Sequence, residues 1–548
     1  MKRIKENFSE QGILFSNHYV GDRLKKNDEV YLFKDLIDKL DISAIINSYS
    51  PEGGSMFAPV DQLAIITFAM FKGVTSSVMM ADLVRNHLQF IYLAGGHIIA
   101  RRTISDFRIK HKESIRKIFE STVDMAIDCG LVRKDELFAL DGAKFEANAS
   151  FSKTRRKKEW EERQEKIVEY VDNFLEEWEK QDELEEGIEE KRQEEFEKIK
   201  KKIGAIKIEK EKKNKVSSKN DDSKGIGKSG GSKKKSSGSK TKEKESKAIY
   251  KKNKITINNS QDVEKLLKEH DKIDSLLEYH KNSDEDMFLS LTDPDSRIMQ
   301  SDSITKECFN VQAVSNNQVI VAADVTQDEN DQGQLEPMVE QTKENIKLEE
   351  GGEEKIPFAS DAGYNKGKNL AYLDKEKNID PYVSMFDRSG KNDLVENKFH
   401  KENFTFDEED ECWICPVGEK LEFMKEHLKD GKKYTLYGCQ LKKCIYCPHR
   451  DECVTTKEDT KKGYRTIDDD GYLIYRKEMR KKMELESSKK IYAKRSGCVE
   501  PVFGQIKNNR GMKRFRLKGL EKVKAEFLYM AIAHNLGKIM KHKPAMIQ

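Results

Sequence analysis

A short apolar run at residues 137–140 ends on the carboxylate of Asp141, and Gly142 follows directly. Consecutive apolar residues bounded by a turn signal are typical of a buried strand, so the run predicts an acid at a strand end, where a site can form. Asp-Gly is also a common turn signal, and a plain turn is the alternative for this run taken alone. The interpretation therefore depends on whether other acids of the chain have similar surroundings.

Two other acids do. A second apolar run, at residues 356–359, ends close to Asp361, and Glu500 lies in an amphipathic segment predicted to be helical. With their flanks, the three segments are DGAKFEANAS, SDAGY and VEPVFGQIK, and in this order they resemble the DDE transposases of bacterial insertion sequences. Asp324 and Asp293 are rival acids, but the first follows a hairpin strand and the second sits in a turn, so both rank below Asp361.

The order of elements predicts an α+β protein with a mixed sheet flanked by helices. Strand runs at residues 309–314 and 318–323 surround the hairpin signal Asn316-Asn317, and residues 334–348 can form a crossover helix. This order fits a ribonuclease-H-like core, in which the first acid lies on the first strand and the second at the end of the fourth. The predicted core comprises residues 135–150 and 286–400, with residues 471–548 as its C-terminal part.

Three converging carboxylates suit phosphodiester cleavage, because hard divalent cations prefer oxygen ligands. Two Mg²⁺ ions (or Mn²⁺) about 3.5 to 4 Å apart can activate the attacking group and stabilise the leaving oxygen. Asp141 is expected to bridge both ions, with Asp361 and Glu500 each completing one metal site.

The resemblance implies further residues around Glu500. Transposases of this kind often carry the spacing Yx2Rx3Ex6K, which Tyr492, Arg495, Glu500 and Lys507 match except that the middle gap here is four residues. Glu500 and Lys507 are seven apart, so an α-helix would place them about two turns apart on one face, with Lys507 near a phosphate. Pro501 predicts a bend or a helix start at Glu500.

Residues 1–134 are predicted to form a mostly helical domain, which the resemblance associates with binding the ends of a mobile element. The net charge of +3, from 101 basic and 98 acidic residues, says little about partners, so the distribution of charge matters more. A helix within residues 100–116 has a basic face that could dock on DNA; a solvated face balanced by Asp106 and Glu113 is the alternative. The candidate DNA contacts on this face are Arg101, Arg102, Arg108 and Lys110.

A second basic stretch follows Glu500. Its candidate DNA contacts are Lys507, Arg510, Lys513, Arg514 and Arg516, with a solvated turn as the alternative. Beyond it, residues 531–540 predict a core helix in which His534 is structural.

Residues 151–285 predict a charged helical-hairpin insertion. An apolar seam begins with Trp160, Ile167, Val171 and Trp178, residues 213–247 are Lys, Ser and Gly-rich and predict a disordered tip, and residues 260–280 predict the returning helix. A solvated spacer and a role in dimerisation or DNA contact are equally compatible with this pattern.

Residues 401–470 contain six of the nine cysteines and predict a zinc-binding insertion. Two CxxC pairs in an intracellular chain are typical of a tetrahedral thiolate site with a structural role. Spacing alone selects Cys412, Cys415, Cys444 and Cys447, whereas the resemblance implies Cys415, Cys444, Cys447 and Cys453; Cys439 is a further alternative.

The resemblance implies a transposase that binds inverted repeats in double-stranded DNA, cleaves one strand and joins the freed 3′-hydroxyl to target DNA, as a homodimer on the DNA. No apolar run reaches the roughly 20 residues of a membrane span, and the N-terminus lacks the apolar region of a signal peptide, so a cytoplasmic location and no membrane partner are expected. The alternatives are a nuclease without strand transfer and a domesticated DNA-binding protein.

Overall fold

The computed structural model describes residues 23–49, 57–182, 190–220, 259–301, 304–349, 352, 354–385, 398–429 and 431–542. The chain divides into two compact units, one formed by Met1–Phe151 with Asp295–Gln548 and the other by Ser152–Pro294. Among the helices in these ranges, none has an apolar stretch long enough to cross a membrane.

Seven described helices precede the first strand, and their apolar residues belong to the same core as the sheet. The third begins with Pro59 in its first turn, where the missing N–H costs nothing, and is buried over almost its whole length. The helices are α1 (Glu29–Asp38), α2 (Ser43–Ile46), α3 (Pro59–Phe71), α4 (Ser77–Asn86), α5 (Leu88–Leu93), α6 (Arg101–Lys110) and α7 (Ile115–Asp128).

The first strand, β1 (Phe138–Glu146), continues through Asp141 instead of ending on it. This corrects the expectation of a strand end and excludes the Asp-Gly turn. The reason is its antiparallel partner, which pairs with the whole strand, from Asn316 opposite Phe138 to Cys308 opposite Glu146. The backbone groups beyond Gly142 therefore stay in a ladder of hydrogen bonds.

The unit Ser152–Pro294 contains two paired strands, β2 (Thr154–Arg156) and β3 (Phe288–Ser290), and three described helices, α8 (Lys157–Asp182), α9 (Glu190–Asn220) and α10 (Ser260–Tyr279). The predicted two-helix hairpin is therefore wrong. The apolar seam is divided between α8 and α9, which pack on each other: the rings of Trp178 and Phe196 lie 5.5 Å apart, and Lys200 pairs with Glu179 at 2.7 Å.

The predicted disordered tip is also shorter than expected. Helix α9 continues to Asn220, so residues 213–220 are helical. Residues 213–220 read KNKVSSKN, in which only the three lysines have good helix propensity, so the preceding turns of α9 must supply the nucleus that an isolated polar segment would lack. Residues 221–247 lie outside the described residues.

The main sheet of the larger unit has six strands and is mixed, as predicted. Its order is β4-β5-β1-β7-β8, with β6 also beside β5; β5 is antiparallel to its three neighbours, and β1, β7 and β8 are mutually parallel. The elements are β4 (Arg297–Ser301), β5 (Ile304–Asn316), β6 (Val319–Thr326), α11 (Leu335–Asn345), β7 (Ile356–Ser360), α12 (Gly367–Lys375) and β8 (Ile379–Val383).

The predicted β5–β6 hairpin and the crossover helix are both present. The turn residues are Asn317 and Gln318, with φ of 50° and 64°, one residue later than the sequence signal. Positive φ at both central positions is typical of a hairpin turn that matches the twist of the strands.

Parallel pairing of β1 with β7 aligns two of the predicted acids. Ala139 lies opposite Ala359 and Leu140 opposite Ser360, so the next residues on the two neighbouring strands are Asp141 and Asp361. Asp361 is at the end of β7 and accepts a hydrogen bond from Gly363 N at 2.9 Å, which starts a short 3₁₀ turn, Ala362–Tyr364.

The cysteine-rich segment forms a five-stranded antiparallel sheet with its own small core around Trp413, Leu421 and Ile467. Its strand order is β13-β12-β11-β10-β9. The elements are β9 (Thr405–Asp407), β10 (Cys412–Ile414), β11 (Lys420–Lys429), β12 (Lys432–Cys439), α13 (Leu441–Ile445), α14 (Arg450–Cys453), α15 (Lys457–Lys462) and β13 (Thr466–Asp469).

The C-terminal part consists of helices and ends with α20 in the centre of the core. Residues Val523 to Met540 of α20 are mostly buried, because α3, α7 and β6 all pack against this helix. The elements are α16 (Leu473–Glu484), α17 (Glu486–Ala493), α18 (Arg495–Cys498), α19 (Glu500–Gly504), a π-helical turn (Gln505–Asn509) and α20 (Leu520–His542).

A buried ion pair connects the N-terminal helices to α20. Arg108 and Glu526 are 1% and 0% exposed, and their side chains pair at 2.9 Å. Glu526 also accepts hydrogen bonds from the backbone N–H groups of Arg516 and Leu517. Arg108 therefore faces the core, which corrects its assignment as a DNA contact.

Replacing Arg108 with Met should lower the free energy of unfolding by about 3 kcal/mol or more, because it leaves the charge of Glu526 buried without its partner. The measurement is chemical denaturation monitored by circular dichroism. Arg102→Met is the matched control, since Arg102 pairs with Asp106 on the surface, and it should cost less than about 0.5 kcal/mol. Equal costs for the two variants would contradict a structural role for the buried pair.

Candidate active site

The three predicted acids meet around one guanidinium group, that of Arg495. Its Nη2 atom lies 3.0 Å from Asp141 Oδ1 and 3.9 Å from Asp361 Oδ2, and its Nη1 atom lies 3.9 Å from Glu500 Oε1. The exposed fraction of the side chains rises from 21% for Asp141 through 35% for Asp361 to 58% for Glu500. The acids thus form one group that is open on the side of Glu500.

Helices α18 and α19 are fixed over the sheet through Cys498. Its backbone carbonyl accepts a hydrogen bond from Ser315 Oγ at 2.9 Å, and its thiol donates to the carbonyl of Ser315 at 3.1 Å. Val499 and Val502 are fully buried beside it. These contacts set the position of Arg495 and Glu500 above β1 and β5.

The helix that carries Glu500 begins where Pro501 predicted. Glu500 and Pro501 are the first two residues of α19, which is five residues long and passes directly into the π-helical turn Gln505–Asn509. The predicted placement of Lys507 two α-helical turns from Glu500 is therefore wrong, because the wider π turn changes the spacing. Lys507 Nζ lies over the Phe145 ring, 4.8 Å from its centre.

Burial raises the pKa of Asp141 to about 6; Arg495 opposes this shift, and the charge of Asp361 adds to it. A carboxyl in such surroundings is easily neutralised, either by a proton or by a cation. The donor set consists of hard carboxylate oxygens drawn together by a positive charge, so it fits Mg²⁺ or Mn²⁺.

Two tyrosines lie near the acids. Burial raises the pKa of Tyr492, and the charges of Arg495, Asp361 and Asp141 also act on this pKa. The structure therefore brings this predicted residue to the site. Tyr364, in the 3₁₀ turn after Asp361, is fully buried and its hydroxyl donates to Gln312 Oε1.

One acid near the site was missed by sequence reasoning. Asp331, in the loop between β6 and α11, accepts hydrogen bonds from Asn310 and Gln312, and its charge contributes to the raised pKa of Asp141. The available signal was the pair of polar residues on the apolar strand β5, each of which needs a partner when buried. The rival Asp324 instead pairs with Lys524 at 3.0 Å.

The predicted DNA contacts of the N-terminal helices are mostly on the surface. Arg101 and Arg102, in the first turn of α6, are exposed. Lys110, in the last turn, is exposed and lies over the Tyr49 ring, 3.7 Å from its centre.

The basic stretch after α19 is tied to the end of β1. Glu146 N donates to Lys513 O at 3.0 Å, and Phe515 N donates to Glu146 O at 2.9 Å. Lys513, Arg514 and Arg516 are exposed, and Arg514 donates to two backbone carbonyls of residues 147–149.

Arg510 is different, and its assignment as a DNA contact is corrected. It is 8% exposed, and its guanidinium donates to His534 Nδ1 at 2.8 Å. His534 Nε2 lies 2.7 Å from the carbonyl of Gln318, and burial lowers the pKa of His534 to about 3. Both side chains act in the core, as expected for His534.

Five thiols line one small cavity of about 20 Å³ in the cysteine-rich segment, which is room for a single ion or water. They belong to Cys415, Cys439, Cys444, Cys447 and Cys453. Burial raises the pKa of Cys453 to about 11, and the neighbouring thiols act in the same direction. Thiol sulfurs are the donor type that a soft cation such as Zn²⁺ prefers.

Cys412 does not face this cavity, which corrects the set chosen by spacing alone. Side chains alternate along a strand, so Cys412 and Trp413 of β10 point to opposite faces of the small sheet. Cys412 lies instead beside Asp407 and Asp410, with the three ligand atoms within 4.8 Å of one another. Asp410 already pairs with Lys420, and Asp407 caps the turn that follows it.

Two segments of the chain match known transposase families. Residues 414–540 match a family described as Transposase DDE domain, and residues 18–110 match one described as Transposase domain (DUF772). The first match includes the cavity cysteines and Glu500, whereas Asp141 and Asp361 lie outside both. No curated protein and no solved structure matches the chain. The family resemblance predicted from the three motifs is confirmed.

In divalent-free buffer, wild-type protein should lose stability relative to Asp141→Asn as pH rises from about 4 to about 7. The folded-state pKa of Asp141 is raised, so the folded protein binds more protons than the unfolded one in this window and its free energy of unfolding falls with pH. The difference should reach roughly 3 kcal/mol at most. Urea denaturation of both proteins at several pH values measures it, and parallel curves would contradict the burial of this carboxyl.

Proposed function

We propose that this chain, a DDE transposase of the insertion-sequence type, binds the inverted repeats at the ends of its own element, hydrolyses one strand, and joins the freed 3′-hydroxyl to target DNA. The observation that carries the proposal is the convergence of Asp141, Asp361 and Glu500 on Arg495. The proposed assembly is a homodimer on double-stranded DNA in the cytoplasm.

The strand order supports a ribonuclease-H-like core for this reaction. In chain order within the larger unit, β1, β5, β6 and β7 correspond to the first four strands of that fold, and β4 is an addition at the edge. Asp141 then lies on the first strand and Asp361 directly follows the fourth, which is the arrangement that the fold implies.

In the proposed site Asp141 would serve both divalent ions, and Asp361 and Glu500 would each serve one. Such ions activate an attacking hydroxyl and stabilise a leaving oxygen in line with it. The burial of Asp141 excludes water from one side of the site, which strengthens its interaction with a cation. Glu500, at the exposed end of the group, is the acid nearest to solvent and thus to an arriving DNA strand.

Arg495 keeps the three carboxylates together before a cation binds. A guanidinium also matches phosphate oxygens, so the same side chain can contact the strand that is cut once the acids hold their ions. Tyr492 and Lys507 are further proposed phosphate contacts, the first beside Arg495 and the second above Phe145.

Exposed arginines and lysines supply the proposed DNA-binding surface. Lys513, Arg514 and Arg516 continue from the end of β1, the strand that carries Asp141, so phosphate contacts there would set the register of the DNA relative to the acids. Arg101, Arg102 and Lys110 form the surface proposed to bind the element's ends.

The thiol cavity is proposed to hold one structural Zn²⁺. Cys415, Cys444, Cys447 and Cys453 are the proposed ligands, with Cys439 as the alternative fourth thiolate. Four thiolates fill a tetrahedral ion and leave no position for a substrate, so this ion would support folding without taking part in cleavage.

Asp141→Asn, Asp361→Asn and Glu500→Gln should each abolish Mg²⁺-dependent nicking of a duplex that contains the element's ends. Binding of the same duplex in a gel-shift assay should stay unchanged, because ligation of the ion is separate from recognition of the ends. Asp324→Asn is the control, since its ion pair with Lys524 lies outside the group, and it should nick normally.

A pre-cut end distinguishes the proposal from its alternatives. Wild-type protein should join such an end to target DNA. A nuclease would nick without joining, and a domesticated DNA-binding protein would bind without nicking; either result would contradict the proposed reaction.

Purified protein should contain about one Zn²⁺ per chain, and Cys444→Ser should remove most of it, because the thiol lines the cavity. The loss should expose residues 404–456 to proteolysis, since the metal supplies much of the folding free energy of a segment with a small core. Cys412→Ser is the matched control from the same small sheet and should retain its zinc. Metal analysis that finds no zinc in the wild type would refute the assignment.

A further inference from the structure

Asp331 lies near Asp141 and Asp361 although no motif includes it. It sits in the loop between β6 and α11, and its side chain is 24% exposed. Its Oδ1 atom accepts hydrogen bonds from Asn310 Nδ2 at 2.7 Å and from Gln312 Nε2 at 2.8 Å, and Lys144 Nζ lies 3.4 Å away. Three donors thus converge on a single oxygen of this carboxylate.

The donors come from the two central strands of the sheet. Asn310 and Gln312 alternate along β5, and Lys144 lies opposite Asn310 on β1, so the three side chains share one face. Asn310 and Gln312 are fully buried, and a buried amide costs free energy unless it is hydrogen-bonded. The amide oxygen of Gln312 accepts a hydrogen bond from the hydroxyl of Tyr364, so the network extends from Asp331 to the turn after Asp361.

Gly142 makes room for the Asp331 carboxylate, and Gly363 makes room for that of Asp361. A Cβ atom at Gly142 would lie 2.5 Å from Asp331 Oδ1 and 2.6 Å from Gln312 Nε2, so a side chain there would displace these two groups. A Cβ atom at Gly363 would lie 2.9 Å from Asp361 Oδ1 and 3.6 Å from Asp331 Oδ2. The free edge of Asp331 therefore points toward the same small volume as the carboxylate of Asp361.

Placing a fourth acid here costs free energy, because like charges repel and Asp331 adds to the raised pKa of Asp141. Lys144 neutralises part of the charge from the Oδ1 side, and Oδ2 lies on the side of Gly363, whose N–H donates to Asp361. A cation bound between Asp141 and Asp361 would convert this repulsion into attraction.

We infer that Asp331 is a positioning residue of the proposed divalent-cation site: it strengthens the binding of the cation by Asp141 and Asp361 without ligating it, through a carboxylate whose Oδ1 is fixed by Asn310, Gln312 and Lys144. This inference rests on the proposed function, since it requires that Asp141 and Asp361 bind a cation. Outer-shell groups around metal ligands tune the affinity for the metal, and their mutation typically weakens it roughly 10- to 100-fold.

The test is a titration of the full-length, zinc-containing protein with Mn²⁺, in which the free ion is followed by electron paramagnetic resonance. The site is defined as the Mn²⁺ binding that Asp141→Asn removes. Asp331→Asn should raise the dissociation constant of this site at least roughly tenfold. Asp328→Asn is the matched control, because it makes the same charge change on an exposed residue of the same loop, and it should stay within about twofold of wild type.

The unfolding temperature without Mn²⁺ separates a structural role from the inferred one. If Asp331 only satisfies Asn310, Gln312 and Lys144, its replacement lowers that temperature and leaves the Mn²⁺ dissociation constant of the folded protein unchanged, which overturns the inference. Should Asp331→Asn not fold, Asp331→Ser, which removes the same charge with a smaller side chain, takes its place in the same titration. Wild-type protein without any Asp141-dependent Mn²⁺ site would overturn the proposed function together with the inference, whereas wild-type affinity in Asp331→Asn overturns the inference alone.

Discussion

Repulsion between carboxylates is the constraint on which the candidate site depends. Asp141 and Asp361 follow paired residues of two parallel strands, and Glu500 is brought to them from a distant helix. Without a positive charge these side chains would turn away from one another or take up protons. Arg495 provides that charge from a buried position, and the contacts of Cys498 with Ser315 hold the helix that carries it. The strand register places Asp141 and Asp361 next to each other. The charge of Arg495 offsets the repulsion among these two acids and Glu500.

The sequence predicted the parts of this site that local patterns determine. Apolar runs followed by acids located β1 and β7, and Pro501 located the start of α19. The extent of β1 could not be predicted, because it is set by pairing with β5, a strand that lies far away in the chain. The predicted position of Lys507 was wrong for a related reason, because seven residues correspond to two turns only in a continuous α-helix.

Charge patterns predicted the basic surfaces only partly. Arg101 and Arg108 are equally basic in the sequence, yet the first is exposed and the second is buried against Glu526. The periodicity of α6 places Arg108 beside Ile104 and Phe107 on its buried face, but only the fold supplies the carboxylate that makes this burial possible. Arg510 is a similar case, with His534 as its partner. A buried cation cannot be distinguished from a DNA contact until its partner is known.

The motifs of Asp141 and Asp361 each contain a glycine, and the structure gives a similar reason for both. Gly142 lies within a strand and Gly363 within a 3₁₀ turn, so neither is explained by a positive φ or by a common turn. What they share is the close approach of a carboxylate: a side chain at Gly142 would collide with Asp331, and one at Gly363 would collide with Asp361. The glycine of the first motif therefore lets the loop acid Asp331 approach β1, and the glycine of the second leaves room for the carboxylate of Asp361 over its own turn.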